Sequence, residues 1–161
     1  MPSLVVRPAH TDDAAALWPL TRDFATSFRP RRDAFDATLA TLLARDDTLL
    51  AVATAPATEP ATGPSTDGGP LGYLLASVHL TFLANGPVCW VEEVMVDRAH
   101  RDRGLGRSLM AYAEAWATAR GAAYVSLASR RAGGFYKALG YDDSATFYRR
   151  VLPSGKRSVA P

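Results

Sequence analysis

The sequence predicts a mixed α/β fold in which helices cover one sheet. Hydrophobic residues make up 48% of the 161 positions, which suits one domain with a sizeable core, so we expect residues 1–161 to form a single domain. The apolar strand patterns first pair locally and later alternate with helical patterns. This order of elements implies a mixed sheet covered by helices.

The first elements are a short strand, two helices and a second strand. Residues 3–9 carry β-branched side chains and read as an edge strand. A helix follows, and Pro19 predicts a kink or a break in it, because proline removes a helical hydrogen bond. A second helix should start near Asp33, and residues 48–55 should form the next strand.

A loop and a hairpin occupy the middle of the chain. Residues 56–70 are dense in Pro, Gly, Thr and Ser, so we expect a mobile loop there. Residues 71–84 and 88–97 are apolar strands on either side of an Asn-Gly-Pro turn, which predicts a hairpin.

The second half of the chain alternates helices with strands. The predicted elements are a helix from near Gly104 to Gly121, a strand over residues 122–129, a short helix over residues 132–139, a final strand over residues 145–152 and a flexible tail at residues 153–161.

Composition narrows the classes of function. The net charge of +2 is small, so nucleic acid is not an expected partner. The chain has no run of about 18 apolar residues and no N-terminal basic segment followed by a long apolar one, so we expect a cytoplasmic protein without a membrane partner. Cys89 is the one cysteine, which excludes an internal disulfide and a paired-cysteine metal site.

The segment DRAHRDRGLGRSLM, residues 97–110, predicts an anion site. It follows a strand and enters a helix near Gly104, where backbone N–H groups lack helical partners and the helix dipole is positive. A phosphate suits this position, and Gly104 and Gly106 let it approach the backbone. The segment lacks the lysine of a P-loop, and Leu109 stands where a dinucleotide fingerprint needs its third glycine.

Two ordered motifs resemble those of the GNAT superfamily of N-acetyltransferases. One is Arg101-x-x-Gly104-x-Gly106 after a strand ending in EEVMVD, and the other is ASRRAGGFYKALGY at residues 128–141. The resemblance covers residues 4–152. It implies the GNAT fold, a twisted and mostly antiparallel sheet of six to seven strands with a splayed centre, flanked by about four helices. It also implies acetyl-CoA as co-substrate and no metal.

The resemblance assigns residues to the coenzyme. Backbone groups of Val94, Met95 and Val96 would pair with the pantetheine amides as an added strand does. Ser108 would add a hydroxyl donor, and Ser129 departs from the asparagine that many relatives use to contact the coenzyme. The N–H groups that would hold the pyrophosphate belong to Arg101, Asp102, Arg103, Gly104, Leu105, Gly106 and Arg107.

Three residues match catalytic roles in the family. An amine is mostly protonated at neutral pH, so a base must remove a proton before the nitrogen attacks the thioester. Glu92 and Glu93 are adjacent candidates, and strand alternation sends them to opposite faces. The family pattern favours Glu92, with Glu93 as the alternative. Tyr136 matches the family's general acid, which protonates the leaving thiolate.

The resemblance places the acceptor between the first two helices, the hairpin and the last strand. Arginines near Arg29 would favour an acceptor with a carboxylate or phosphate near its amine. The resemblance thus implies an N-acetyltransferase acting on a primary amine of a small molecule or protein. The alternative is a module of the same fold that binds acyl-CoA without turnover, and a monomer and a homodimer both stay open. The candidate acceptor-binding residues are Phe28, Arg29, His79, Trp90 and Tyr148.

Overall fold

The computed structural model describes residues 4–55 and 68–156 of the chain. Most of the predicted mobile loop at residues 56–70, and the end of the predicted tail from residue 157 onward, lie outside these ranges. Among the helices within the ranges, none combines the length and the apolar character that crossing a bilayer requires.

Five strands form one sheet in which the spatial order follows the chain order. The first four strands pair with one another in antiparallel fashion, and the fifth lies parallel to the fourth. This arrangement confirms the mixed, mostly antiparallel sheet. The strands are β1 (Val5–Pro8), β2 (Thr48–Thr54), β3 (Pro70–Thr81), β4 (Gly86–Val96) and β5 (Val125–Leu127).

Helices pack on both faces of the sheet. The first two helices place Leu17 and Leu39 against Val52 on one face, and the third places Leu109 against Leu74 on the other. Burial on both faces explains why β2 is apolar at almost every position. The helices are α1 (Ala14–Phe24), α2 (Arg32–Leu43), α3 (Leu105–Ala119), α4 (Gly133–Ala138) and α5 (Pro153–Lys156).

The final predicted strand, residues 145–152, does not form. The described residues therefore contain a five-stranded sheet instead of the expected six to seven strands. The segment buries no face, since residues 142–150 are all exposed. Phe147 stacks on Trp90 with ring centroids 6.2 Å apart, so a side-chain contact replaces strand pairing here.

Several local features also differ from the prediction, among them the end of β3 and the course of α1. β3 ends at Thr81 and not at residue 84, because the Thr81 hydroxyl accepts a hydrogen bond of 3.1 Å from the Ala84 N–H and closes the turn early. The predicted break at Pro19 does not occur, and α1 runs through this residue. Leu17 and Leu20 are buried on either side of it, so packing holds the helix together despite one missing hydrogen bond.

Candidate active site

A gap in the sheet beside β4 marks the candidate site. β5 pairs with β4 only from Cys89 to Val91, whereas β4 continues to Val96. Beyond Val91, no strand in the described part of the chain pairs with this edge of β4, which is the splayed centre that we expected. The gap includes Val94, Met95 and Val96. At its end, the Arg101 guanidinium donates a hydrogen bond of 3.3 Å to the Val96 carbonyl.

A β-bulge positions the two glutamates of β4. Ala76 pairs with Val91 and Leu75 pairs with Glu93, which leaves Glu92 as the extra residue. A bulge interrupts the alternation of side chains along a strand. Both glutamates line one cavity, and Glu92 lies at the extra position of the bulge.

The glycine-containing loop ends at an open helix N-terminus. Gly104 is the residue before α3 and has φ 84°, in the left-handed region that favours glycine. The first helical hydrogen bond runs from the Ser108 N–H to the Gly104 carbonyl at 2.9 Å. The N–H groups of residues 105–107 thus have no partner within α3, as in helix ends that bind anions. Asp97 holds the preceding turn by accepting a hydrogen bond of 3.1 Å from the Ala99 N–H.

Gly106 has a packing role in addition to its place in the loop. A Cβ atom here would lie 3.1 Å from the Phe135 ring, closer than an ordinary carbon contact. Glycine therefore lets the first turn of α3 approach α4, the helix that carries Tyr136.

An open cavity of about 500 Å³ borders the sheet gap. Its walls come from the end of α1 and the connection to α2, the middle of β4, the loop after β5, and α4. The predicted site residues in these walls are Phe28, Glu92, Glu93, Val94, Ser129 and Tyr136.

Glu93 is half-buried and has a defined partner, whereas Glu92 is exposed. The Tyr73 hydroxyl donates a hydrogen bond of 2.6 Å to Oε2 of Glu93. Burial raises the pKa of Glu93 above its ordinary value, the Tyr73 hydrogen bond opposes this rise, and the charge of Glu92 adds to it. A carboxylate with a raised pKa in a cavity wall is suited to accept a proton near neutral pH.

Tyr136 lies on α4 between two other aromatic rings. Its ring centroid is 5.0 Å from that of Phe135 and 5.9 Å from that of Tyr141, both in edge contacts. Burial raises the pKa of Tyr136, so the phenol keeps its proton at neutral pH and can donate it. Tyr141 is engaged elsewhere, since its hydroxyl donates to Glu114 at 2.8 Å.

The remaining acceptor candidates are not in the cavity walls. Arg29, His79 and Tyr148 are exposed, and Trp90 is half-buried under Phe147.

The arginines that follow Arg29 have acidic partners on α2. Arg31 pairs with Asp33 at 3.2 Å, and Arg32 pairs with Asp36 at 2.9 Å. The Arg32 guanidinium also lies 5.7 Å from the centroid of the Trp18 ring. These local pairs reduce the positive charge that the loop offers to an anionic acceptor.

Sequence reasoning missed three residues of the cavity region. Arg130 and Arg131 line the cavity, and two basic residues directly after a predicted strand were a visible signal for them. Tyr73 had no such signal. Its contact with Glu93 depends on the register of β3 against the bulged β4, which the sequence alone does not determine.

Sequence comparison decides the family. The profile of the acetyltransferase (GNAT) family matches residues 17–141, a range that contains the sheet gap, the α3 loop and α4. The chain belongs to the GNAT acetyltransferase family. This result confirms the resemblance of the two motifs. No curated protein sequence matches this GNAT chain.

Solved structures similar to this GNAT chain share its fold at low sequence identity. A Trypanosoma brucei acetyltransferase is 22% identical with a TM-score of 0.74, over 93% of this chain and 100% of its own. Glucosamine-6-phosphate N-acetyltransferase from Arabidopsis thaliana is 17% identical with a TM-score of 0.76, over 93% of this chain and 99% of its own. An aminoglycoside N-acetyltransferase in complex with CoA is 20% identical with a TM-score of 0.74, over 94% of this chain and 97% of its own.

Proposed function

We propose that this protein transfers the acetyl group of acetyl-CoA directly to a primary amine of a small molecule or protein. The observation that carries the proposal is a single cavity bordered by the sheet gap, the two glutamates of β4 and Tyr136. Family membership supports the reaction class, and the CoA bound to the aminoglycoside acetyltransferase supports the co-substrate.

The α3 N-terminus and the β4 edge suit two parts of the coenzyme. The unpartnered N–H groups of residues 105–107 and the positive end of the helix fit a pyrophosphate, and residues 101–104 and Ser108 flank them. The open edge from Val94 to Val96 offers main-chain donors and acceptors to the pantetheine amides. Ser129 lines the cavity, and its Oγ accepts from the Ala132 N–H at 3.0 Å, which leaves its hydroxyl proton available.

Glu93 is the better supported general base. Its raised pKa, partial burial and hydrogen bond to Tyr73 give it a fixed orientation and a proton affinity closer to that of the amine. Glu92 is the alternative, since it lines the same cavity and matches the family's acid more closely. In either case the carboxylate takes a proton from the ammonium form, directly or through water, and frees the nitrogen lone pair.

Tyr136 is the proposed general acid. The amine nitrogen attacks the thioester carbonyl carbon, the C–N bond forms, and the C–S bond breaks as the adduct collapses. The Tyr136 hydroxyl donates its proton to the departing sulfur, and the resulting tyrosinate takes up the second proton that the amine nitrogen loses, directly or through water. The products are an acetylated amine and free coenzyme thiol. No covalent enzyme intermediate is involved. Phe28 would contact the acceptor from the cavity wall, with Arg29, His79, Trp90 and Tyr148 farther out.

An amine panel tests the proposal. Purified protein is given acetyl-CoA with alkylamines, amino acids, peptides and aminoglycosides, and thiol release and acetylated product are both measured. We expect amine-dependent thiol release, and Tyr136→Phe should lower kcat about 100-fold while the Kd for acetyl-CoA stays within about twofold. Tyr124→Phe is the control, because Tyr124 is exposed and outside the cavity. Acetyl-CoA binding without turnover of any amine would establish the binding module instead.

A further inference from the structure

A second, smaller cavity adjoins the first one. It has a volume of about 240 Å³ and lies between α1, α2 and the sheet. Thr21, Pro30 and Glu93 line both cavities, so the proposed base is part of a wall common to the two spaces.

The walls of the smaller cavity are mainly apolar. They include Leu17, Phe35, Leu39, Leu42 and Leu50.

The polar groups in these walls mostly have partners. Tyr73 and Glu93 are hydrogen-bonded to each other, and Arg31 pairs with Asp33. Thr21 and Thr38 are neutral. The cavity thus provides apolar contact next to one carboxylate, a poor match for the anionic acceptor that the loop arginines suggested.

We propose that the acceptor is a primary amine carrying an apolar arm, and that this arm occupies the smaller cavity while its ammonium group lies at Glu93. The inference rests on the proposed acetyl transfer. A cavity of about 150 Å³ is enough for a benzene molecule, so a cavity of about 240 Å³ fits an arm of roughly six to ten carbon atoms. Such arms occur in alkylamines, arylalkylamines and apolar amino-terminal residues.

A series of primary amines from methylamine to decylamine tests this inference. Acetyl-CoA is held saturating, and kcat/KM is measured for each amine. Each added methylene should raise kcat/KM about threefold to fourfold until the cavity is full, after which the increase should stop. Ethanolamine and ethylenediamine should be poorer acceptors than propylamine, because they would place a polar group in an apolar space.

A cavity-filling variant locates the arm. Ala34 lines the smaller cavity from an exposed position on α2, so Ala34→Phe should occupy it without disturbing the core. This variant should reduce the preference for hexylamine over methylamine about tenfold or more. Ala40→Phe is the matched control, since Ala40 is also exposed on α2 but does not line the cavity, and it should leave the preference unchanged.

The outcomes of these experiments distinguish a failure of this inference from a failure of the proposed acetyl transfer. The proposal of an apolar arm is wrong if all amines are acetylated at similar kcat/KM, or if both variants lose the preference equally. Either result is compatible with the proposed acetyl transfer. Failure of the protein to acetylate any amine overturns the proposed function and the inference together.

Discussion

Two adjacent carboxylates on β4 have different surroundings. Glu93 is half-buried, accepts a hydrogen bond from Tyr73 and has a raised pKa, whereas Glu92 is exposed at the bulge. A base acts only in its deprotonated form, so the rate should fall as pH drops through the pKa of the residue that serves as base.

Glutamine substitutions at the two positions should therefore have unequal effects. We expect Glu93→Gln to lower kcat about 100-fold and to remove the acidic limb of the pH–rate profile, and Glu92→Gln to change kcat less than about tenfold. The measurement is kcat between pH 5 and pH 9 at saturating substrates. In Tyr73→Phe the acidic limb should move to higher pH, because the hydrogen bond that lowers the pKa of Glu93 is lost. The reverse order of the two glutamine variants would identify Glu92 as the base.

Single residues were predictable where the resemblance to the GNAT motifs assigns them a role. Glu92, Glu93 and Tyr136 were identified through this resemblance, and the structure places all three at one cavity. The contact of Tyr73 with Glu93 was not predictable, because one extra residue in β4 changes which side chains meet across the strands.

Among the elements, α3 carries the proposed anion site at its first turn. Gly104 precedes the helix with φ 84°, and Gly121 follows it with φ 73°. Both residues adopt the left-handed conformation, but only Gly104 lies beside the unpartnered N–H groups.

Replacing each of these two glycines with valine should distinguish an effect on stability from an effect on coenzyme binding. Each variant should lose about 1–2 kcal/mol of unfolding free energy, because a β-branched residue is strained at positive φ. Gly104→Val should also raise the Kd for acetyl-CoA about tenfold or more, whereas Gly121→Val should leave it unchanged. Calorimetric titration measures the affinity and urea unfolding the stability. Equal affinities of the two variants for acetyl-CoA would contradict the proposal that the anion site lies at the first turn of α3.

The helices were easier to predict than the end of the sheet. The predicted starts near Asp33 and Gly104 agree with α2 and α3, since both helices have apolar residues at helical spacing. The segment at residues 145–152 is about as apolar as the other strands, but strand formation also needs a face to bury. This requirement cannot be read from a local pattern.

For the molecule as a whole, a half-buried ion pair joins β1 to the start of α1. Arg7 donates two hydrogen bonds to Asp13, at 2.8 and 2.9 Å, and the His10 N–H donates a third at 2.8 Å. Burial alone would raise the pKa of Asp13, but the hydrogen bonds and the charge of Arg7 outweigh it and hold this pKa below its ordinary value near 3.8.

Loss of this pair should make the fold less stable at neutral pH. Asp13→Asn should lower the unfolding free energy at pH 7 by about 3 kcal/mol, because the Arg7 guanidinium loses its carboxylate partner. A depressed pKa contributes stability above the unfolded value, near 3.8, and this contribution disappears as pH falls through the folded value, so the variant and the wild type should converge in acid. Denaturant unfolding at several pH values measures the difference. Asp36→Asn is the control, since its exposed pair with Arg32 should contribute about 0.5 kcal/mol or less.

The wall that the two cavities share has an evolutionary consequence. The carboxylate of Glu93 would remove the proton during turnover and also border the space that selects the acceptor. Mutations that reshape the smaller space for a new acceptor would then disturb the reaction rate as well, so specificity and speed could not diverge independently in descendants of this protein.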